Sequence, residues 1–595
     1  METIPTLLEA RLKTALAGIS DARPMVTPAT DTRFGDYQTN VAMILAKQQR
    51  ANPRQLAQQI IGKLDVAGIC EPPEIAGAGF INFRLTAAWV AERMTEFTRD
   101  PRLGVPQPDR PLKIVIDFSS PNVAKPMHVG HIRSTFLGDA LARIATFIGH
   151  EVVRDNHIGD WGTQFGMLLL GWKTELDPDA LASDPFGELE RIYKLVSARS
   201  KEDAATLESA KQELVKLQGG DVENLRIWRE MISLSEAQFN TVYDRLGVKF
   251  DVMLGESFYN PQLKGVVEDL KRQAIAKESE GAWCVFSEGA VKPENDPFLI
   301  KDKDGWRDNP AMVQKSDGAS NYTTTDLATL EYRLKTWSPD EIIYVTDDRQ
   351  QLHFRQLFAI FHRWHPESAA KVRLAHVGFG KILGDDGKPF KTRSGETVKL
   401  AGLLDEAEER ALKIVTEKNP ALPEADRRAI ARAIGLGAVK YADLLPNRQS
   451  DYVFSWDRML SFQGNTAPYL QNAHVRICGI FRKAEPVVTE NDAAAIMATP
   501  GERLVVLEAP AELALSRKLF QFGEVLPQVL DDNRPNLLAN YLYDLASIFH
   551  GFFETCPVLK SEGATRSSRL ALCKSTAAVL RRGLDLLGIE APERM

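Results

Sequence analysis

The sequence predicts a multi-domain α/β protein, in which a doubly wound parallel-sheet core follows a small α+β domain and precedes an all-helical region. Its 595 residues correspond to about four domains at roughly 150 residues each. Leu112-Lys113-Ile114-Val115-Ile116-Asp117-Phe118 is a near-continuous apolar β run, the pattern of a strand buried on both faces. A Ser-Pro loop, a helical pattern over 130–148 and a second β run at 151–154 follow it. Strand, loop, helix and strand in that order open a doubly wound sheet.

Residues 1–108 come first. Helical patterns at 6–19 and 40–51 lead to Gly79-Phe80-Ile81-Asn82-Phe83-Arg84-Leu85, a strand-like run, and a helix closes the domain at 87–97. Asp100-Pro101 and Gly104-Val105-Pro106-Gln107-Pro108 break the pattern and mark a linker. The core then occupies 109–400. Within it, a charged and helix-rich stretch from 173 to 246 reads as a helical insertion extending to about 310, and sheet-like segments return at 341–345 and 372–379. Beyond Leu400 the pattern is helical to the end, as a region over 401–465 with joints at Pro420/Pro423 and 446–464, and a last domain over 466–595.

Seventy-three Lys+Arg against eighty Asp+Glu leave a net charge of −7, so a nucleic-acid partner must be held by local basic surface. An apolar content of 44% with 26% charged residues excludes disorder, collagen and coiled coil for the whole. No run of about 18 apolar residues predicts a membrane span, and residues 1–19 lack a signal-peptide core. Cys70, Cys284, Cys478, Cys556 and Cys573 are far apart, with no CxxC pair. No protein-bound zinc or other resident metal is expected, and a reducing cytoplasm is the expected compartment.

The chemistry concentrates in Ser119-Ser120-Pro121-Asn122-Val123-Ala124-Lys125-Pro126-Met127-His128-Val129-Gly130-His131. It lies between a buried strand and a helix, where open α/β sheets bind ligands. The helix N-terminus offers unpaired N–H groups and a positive dipole end to phosphate. His128 and His131, three apart, share a face of the first turn and can donate to phosphoryl oxygens. Gly130 lets a flat base approach the backbone. The alternative is that the histidines only cap a helix; the Pro-Asn-x-x-Lys prefix and the buried strand weigh against it.

This segment resembles the HIGH motif of class I aminoacyl-tRNA synthetases in the extended form of the arginyl-tRNA synthetase family. So do Phe34-Gly35-Asp36-Tyr37-Gln38-Thr39-Asn40, Asn156-His157-Ile158-Gly159-Asp160-Trp161-Gly162-Thr163-Gln164-Phe165-Gly166, Gly255-Glu256-Ser257-Phe258-Tyr259-Asn260, Tyr322-Thr323-Thr324-Thr325-Asp326, Gly464-Asn465-Thr466-Ala467-Pro468-Tyr469 and Pro592-Glu593-Arg594-Met595. The resemblance covers essentially the whole chain. It implies a Rossmann-like catalytic core, an N-terminal domain for the tRNA D-arm and a C-terminal all-α anticodon-binding domain.

The implied activity is that of an arginine–tRNA ligase, with L-arginine, ATP accompanied by Mg²⁺, and tRNA(Arg) as partners, in a monomeric cytoplasmic enzyme. The resemblance also implies that arginine activation requires the tRNA. Catalytic roles fall to Lys125, His128, His131, Lys391 and Arg393, and ATP contacts to Pro121, Asn122, His128, Gly130, His131, Lys388 and Lys391. The second signature loop, Phe390-Lys391-Thr392-Arg393-Ser394, departs from KMSKS at its first position and at Arg393. Lys125 stands where related enzymes carry a compensating lysine, a point charge able to neutralise transition-state phosphate. Taken alone the loop reads better as a solvated basic turn, and only the accompanying motifs make it functional; the division of labour among Lys125, Lys388, Lys391 and Arg393 is open.

Arginine itself would meet Tyr322 and Asp326, four apart on one helical face, with Gln350 assisting and Asp117 and Asn122 near the α-ammonium. A planar guanidinium calls for such acidic and polar partners. Asp326 also reads as a helix cap. For RNA, Phe80 and Asn82 alternate on one strand face as an aromatic platform beside an amide, or as a core Phe with a polar neighbour. Phe553 and Met595 resemble anticodon-side positions. Another class I synthetase, for glutamate or lysine, is the alternative enzyme. A non-catalytic tRNA-binding paralogue is the alternative outside catalysis, and the intact Lys125, His128 and His131 argue against it.

Overall fold

The computed structural model describes residues 1–29, 31–390, 398–484 and 505–595. The chain forms two compact units, one of Met1–Pro108, Ala411–Tyr441 and Asp457–Met595, the other of Asp109–Arg410 and Ala442–Trp456. The stretch 401–465, expected as one helical region, is thus divided between them. Among the described residues, no helix is long and apolar enough to cross a membrane.

In the first unit, a four-stranded antiparallel sheet runs in the order Thr27–Pro28, Tyr37–Thr39, Phe80–Phe83, Glu74–Ala76. It is accompanied by the helices Ile4–Ala15, Val41–Gln49 and Ala87–Phe97. A further helix, Pro53–Ile61, is absent from the sequence-based expectation although its start is marked. Asn52 accepts from the N–H groups of Arg54 and Gln55, and Pro53 opens the helix. Its Leu56, Ala57 and Ile60 are buried.

The helices Ala467–Ala484, Pro510–Phe520, Phe522–Asp532, Asn536–Thr555 and Gly563–Leu586 belong to this unit, as does most of Glu424–Leu444. Leu519, Leu542, Phe549 and Leu580 are wholly buried. Two polar contacts join the first strands to these helices. The Tyr37 hydroxyl donates to Glu524 Oε1 at 2.7 Å, and Arg517 pairs with Asp36 at 3.2 Å. Burial pushes the Glu524 carboxyl up to about 7, against the lowering effect of the Tyr37 hydrogen bond.

The second unit is built on a five-stranded, all-parallel sheet in the order Arg373–His376, Glu341–Tyr344, Lys113–Asp117, Glu151–Ile158, Val252–Gly255. The first strand in sequence sits in the middle, so chain order reverses on either side of Lys113–Asp117. The crevice beyond the carboxyl ends of the strands at such a reversal is the ligand-binding place of open α/β sheets. Val115, Ile342, Leu330, Leu357 and Phe361 form part of one apolar cluster beneath it.

The helical insertion is shorter than expected. Helices fill the stretch from Gln164–Glu175 to Val222–Leu246, after which Val252–Gly255 rejoins the main sheet. Beyond the helix Asn260–Arg272, the strands Ala276–Ser279, Ala282–Val285 and Ala311–Gln314 pair antiparallel, and Leu299–Asp302 forms a hairpin with Gly305–Asp308. The run Ala282-Trp283-Cys284-Val285 has the aromatic and branched residues that favour a pleated surface over a helix.

Candidate active site

The strand Lys113–Asp117 ends at the sheet's reversal point, and the loop after it is strained. Ser119, Ser120 and Ala124 have φ of 74°, 48° and 59°. Such left-handed conformations cost non-glycine residues about 1–3 kcal/mol each and persist only where surrounding contacts enforce them. The Ser119 N–H donates to Ser134 Oγ at 2.8 Å and the Ser120 N–H to Asn156 Oδ1 at 3.1 Å. The Ala124 N–H donates to Ser235 Oγ at 3.0 Å. Backbone bonds of 3.0 Å run from Val123 N–H to Gly159 and from Gly159 N–H to Pro121. Pro121 is buried, whereas Asn122 and Lys125 are exposed.

His128 caps the 3₁₀ turn Val129–His131, and His131 ends it. His128 Nδ1 accepts from the Gly130 N–H at 3.0 Å, and His131 Nδ1 accepts from the His128 N–H at 3.1 Å. Their rings stack with centroids 4.0 Å apart. Burial, with the neighbouring His128, pushes His131 down to about 3. Burial and Lys125 lower His128 as well. Neutral rings that accept through Nδ1 carry their proton on Nε2. Each imidazole therefore caps the turn with one nitrogen and presents an N–H donor with the other, so capping and anion binding do not compete. At Gly130 a β-carbon would lie 2.8 Å from His128 Cε1, so the missing side chain makes room first for this ring.

Two further backbone bonds connect this segment to the chain after the second signature loop. Val129 N–H donates to Val398 at 3.0 Å and Leu400 N–H to Met127 at 2.9 Å. Lys125 Nζ stands 5.6 Å from the centre of the Tyr193 ring. Lys388 is exposed on a turn closed by Gly384 N–H to Lys388 O at 2.8 Å. Lys391 and Arg393 lie outside the described residues.

On the same sheet edge, Tyr322 begins the helix Tyr322–Trp337 and is exposed, with Asp326 one turn later. Asn321, not Asp326, occupies the cap position. The Asp326 carboxylate instead meets His353 Nε2 at 2.6 Å, and the Tyr322 ring sits edge-on to His353 at 4.9 Å. Gln350 is exposed just before the helix Gln351–Trp364 that carries His353. Two of the three expected arginine-site residues, Tyr322 and Asp326, therefore meet at one imidazole, and Gln350 lies on the turn that opens the helix carrying it. Asp117 differs from its expectation. It is buried, with Oδ2 receiving Arg333 Nη2 at 2.6 Å and Oδ1 receiving Ser120 Oγ at 3.1 Å, so both oxygens have protein partners. Arg333 also donates from Nε to Asp155 Oδ2 at 2.9 Å. Burial opposes its charge, but the two carboxylates outweigh this and hold it protonated, well above the usual range.

Glu256, His353 and Arg333 have no role in the sequence-based expectation. Only Glu256 had a local signal, as an acid at the carboxyl end of a parallel strand. Burial pushes its carboxyl up to about 8, and Asp326 and Asp160 push it further in the same direction. The Asp326 carboxylate therefore stands near a second carboxyl, Glu256, that burial and its acidic neighbours hold toward the protonated form.

In the first unit, Phe80 is half-buried and Asn82 is buried at 3% exposure, with Gln38 and Glu74 as its cross-strand neighbours. Asn82 Oδ1 has no partner among the described residues. Phe553 is 37% exposed, with the Arg476 guanidinium 5.8 Å from its ring centre. Met595 is half-buried. The terminal segment before it is held by Gln471 to Glu590 O at 2.8 Å, His474 to Pro592 O at 3.0 Å and Arg482 to Glu593 O at 2.9 Å. Among the neighbouring aromatics, Tyr541, Phe549 and Phe552 are buried and Tyr543 is half-buried.

Three family models match the chain in succession. The arginyl tRNA synthetase N-terminal domain covers residues 2–85, the catalytic domain of class I (R) tRNA synthetases 98–456, and the DALR anticodon binding domain 470–595. The arginine–tRNA ligases of Laribacter hongkongensis and Chromobacterium violaceum are 47% and 46% identical to it, over the full length of both chains in each case. The crystal structure of arginyl-tRNA synthetase from Plasmodium falciparum superposes with a TM-score of 0.81 at 29% identity, and that from Thermus thermophilus with 0.82 at 26%; coverage is 100% of each chain. By its matched domains, full-length relatives and fold, the chain belongs to the arginyl-tRNA synthetase family of class I aminoacyl-tRNA synthetases.

Proposed function

We propose that the protein activates L-arginine with ATP, forming arginyl-adenylate and pyrophosphate, and then transfers the arginyl group to the terminal adenosine of tRNA(Arg). One juxtaposition carries this reading beyond family membership. A single sheet edge bears two neutral imidazoles with Nε2–H donors and a carboxylate pocket around Asp326. The first suits phosphate oxygens and the second a guanidinium.

In the first step the arginine carboxylate attacks the α-phosphorus in line and the bond to the β-phosphate breaks. Mg²⁺ enters with ATP as part of the substrate. His128 and His131 donate to phosphate oxygens, while Pro121, Asn122 and Gly130 line the nucleotide site. Lys125, Lys388, Lys391 and Arg393 supply positive charge where negative charge develops. Asp326, Tyr322 and Gln350 take the arginine side chain, with Glu256 as a second carboxylate. Asn122 serves the α-ammonium, and Asp117 supports it through Ser120 and Arg333. In the second step a ribose hydroxyl of the terminal adenosine attacks the acyl carbon and AMP leaves. No protein nucleophile is needed; positioning and electrostatics carry both steps.

The same reading gives residues 1–108 to the D-arm, with Phe80 and Asn82 as the base-reading pair, and 466–595 to the anticodon, with Phe553 and Met595 among the contacts. It includes a monomeric, cytoplasmic enzyme. ATP–pyrophosphate exchange with each amino acid in turn, with and without tRNA(Arg), tests it. Exchange stimulated by arginine alone among the amino acids is expected, and stimulation by glutamate or lysine in its place refutes it.

A further inference from the structure

The helix Val222–Leu246 belongs to the insertion and contributes no residue to the chemistry described so far. It nevertheless meets the strained loop at two points. Ser235 is fully buried; its hydroxyl donates to Met231 O at 2.7 Å and accepts the Ala124 N–H at 3.0 Å. Two turns later, the Tyr243 hydroxyl pairs with Ser119 Oγ at 2.7 Å and receives Asn156 Nδ2 at 3.1 Å. Residues eight apart lie on one helical face, so a single face meets both ends of the loop, the Ser119 side chain at one and the Ala124 backbone at the other. Ala124, at φ 59°, immediately precedes Lys125. An alanine released from that conformation relaxes to negative φ, and the chain then leaves it in a different direction.

We propose that Ser235 is a positioning residue for adenylate formation. Its hydroxyl fixes the left-handed turn at Ala124 and so aims Lys125 toward the phosphates. This rests on the reading of Lys125 as a cation serving the transition state.

The test is single-turnover arginine activation by the full-length enzyme with tRNA(Arg) present. Ser235→Ala should slow activation about tenfold, the population cost of one unsupported left-handed residue, with arginine KM and tRNA affinity unchanged. Glycine adopts positive φ without penalty. Adding Ala124→Gly to Ser235→Ala should therefore restore the rate to within about threefold of the parent, and Ser235→Ala should slow Lys125→Ala no further. Ser235→Ala at the parental rate while Lys125→Ala is slow overturns the proposal. So does a Ser235→Ala loss that Ala124→Gly fails to restore and that tracks a fall in melting temperature. Lys125→Ala at the parental rate instead overturns the underlying reading of Lys125, and with it this one.

Discussion

Arginine binding should release a proton, and Glu256 is the group expected to lose it. Burial, followed by Asp326 and Asp160, raises its carboxyl to about 8, while a hydrogen bond from the Trp161 backbone opposes the shift. At pH 7 about nine-tenths of the molecules then hold the proton. An arriving guanidinium favours the ionised form, so the bound-state value falls below the free one and affinity rises with pH up to about 8. The apparent Kd is that of the ionised form divided by its population. That population climbs from about 0.09 at pH 7 to about 0.76 at pH 8.5, an affinity gain of about eightfold. Glu256→Gln keeps the shape and removes the charge. A charge-assisted bond contributes about 1.5–3 kcal/mol, of which deprotonation offsets about 1.4 kcal/mol at pH 7. The glutamine variant should thus bind arginine less than about 1.6 kcal/mol more weakly at pH 7, and show the full deficit at pH 8.5. Titration calorimetry at pH 7, in buffers of different ionisation enthalpy, should count about 0.9 proton released. Zero release, or a glutamine variant that retains the parental pH dependence, refutes the reasoning.

Asp326→Asn replaces the carboxylate at His353 with a neutral amide. It should lower kcat/KM for arginine by about 1.5–3 kcal/mol while leaving the ATP KM unchanged, and unaltered arginine kinetics refutes its role. Lys125→Ala should slow adenylate formation about 10²–10³-fold; a loss within about threefold in single-turnover assays contradicts it. His131, held down to about 3 by burial and His128, stays neutral from pH 5 to 8. Activation should therefore show no inflection in that window that disappears in His131→Asn. Arg333→Met strips Asp117 and Asp155 of their buried counter-charge and should cost about 3–5 kcal/mol of stability in urea unfolding. A change below about 1 kcal/mol contradicts that account.

Much of the site was legible because its signals are local. The apolar run at 113–117 announced a strand buried on both faces, and the histidines of the next loop share a turn because residues three apart do so on any helix. What escaped depends on pairings across long separations. Nothing near Arg333, on a helix, points in sequence to Asp117 and Asp155, which reach it from two strands of the sheet. His353 becomes Asp326's partner only when two helices meet. Asp117 looks like an open carboxylate from its place at a strand end, yet folding supplies partners to both oxygens. The overlong insertion had another cause: the strands between 276 and 314 are only four residues each, with exposed charged positions such as Lys277, Glu278, Lys301 and Asp302, too short to show a clear alternation. The left-handed residues at 119, 120 and 124 had no cue, because serine and alanine rarely mark such backbone.

The Tyr37–Glu524 bond spans 487 positions of sequence, which sets a schedule for biosynthesis. A ribosome adding about 5–20 residues per second delivers Glu524 roughly 25–100 s after Tyr37. Arg517, the partner of Asp36, emerges only slightly sooner. During that interval the first hundred residues rely on their own interior, with Leu8, Leu12, Ile81 and Phe83, while the surface around Tyr37 stays uncovered. The helices Pro510–Phe520 and Phe522–Asp532, translated late, close it, so a nascent chain halted before residue 517 presents that surface to chaperones and proteases, whereas the finished chain conceals it.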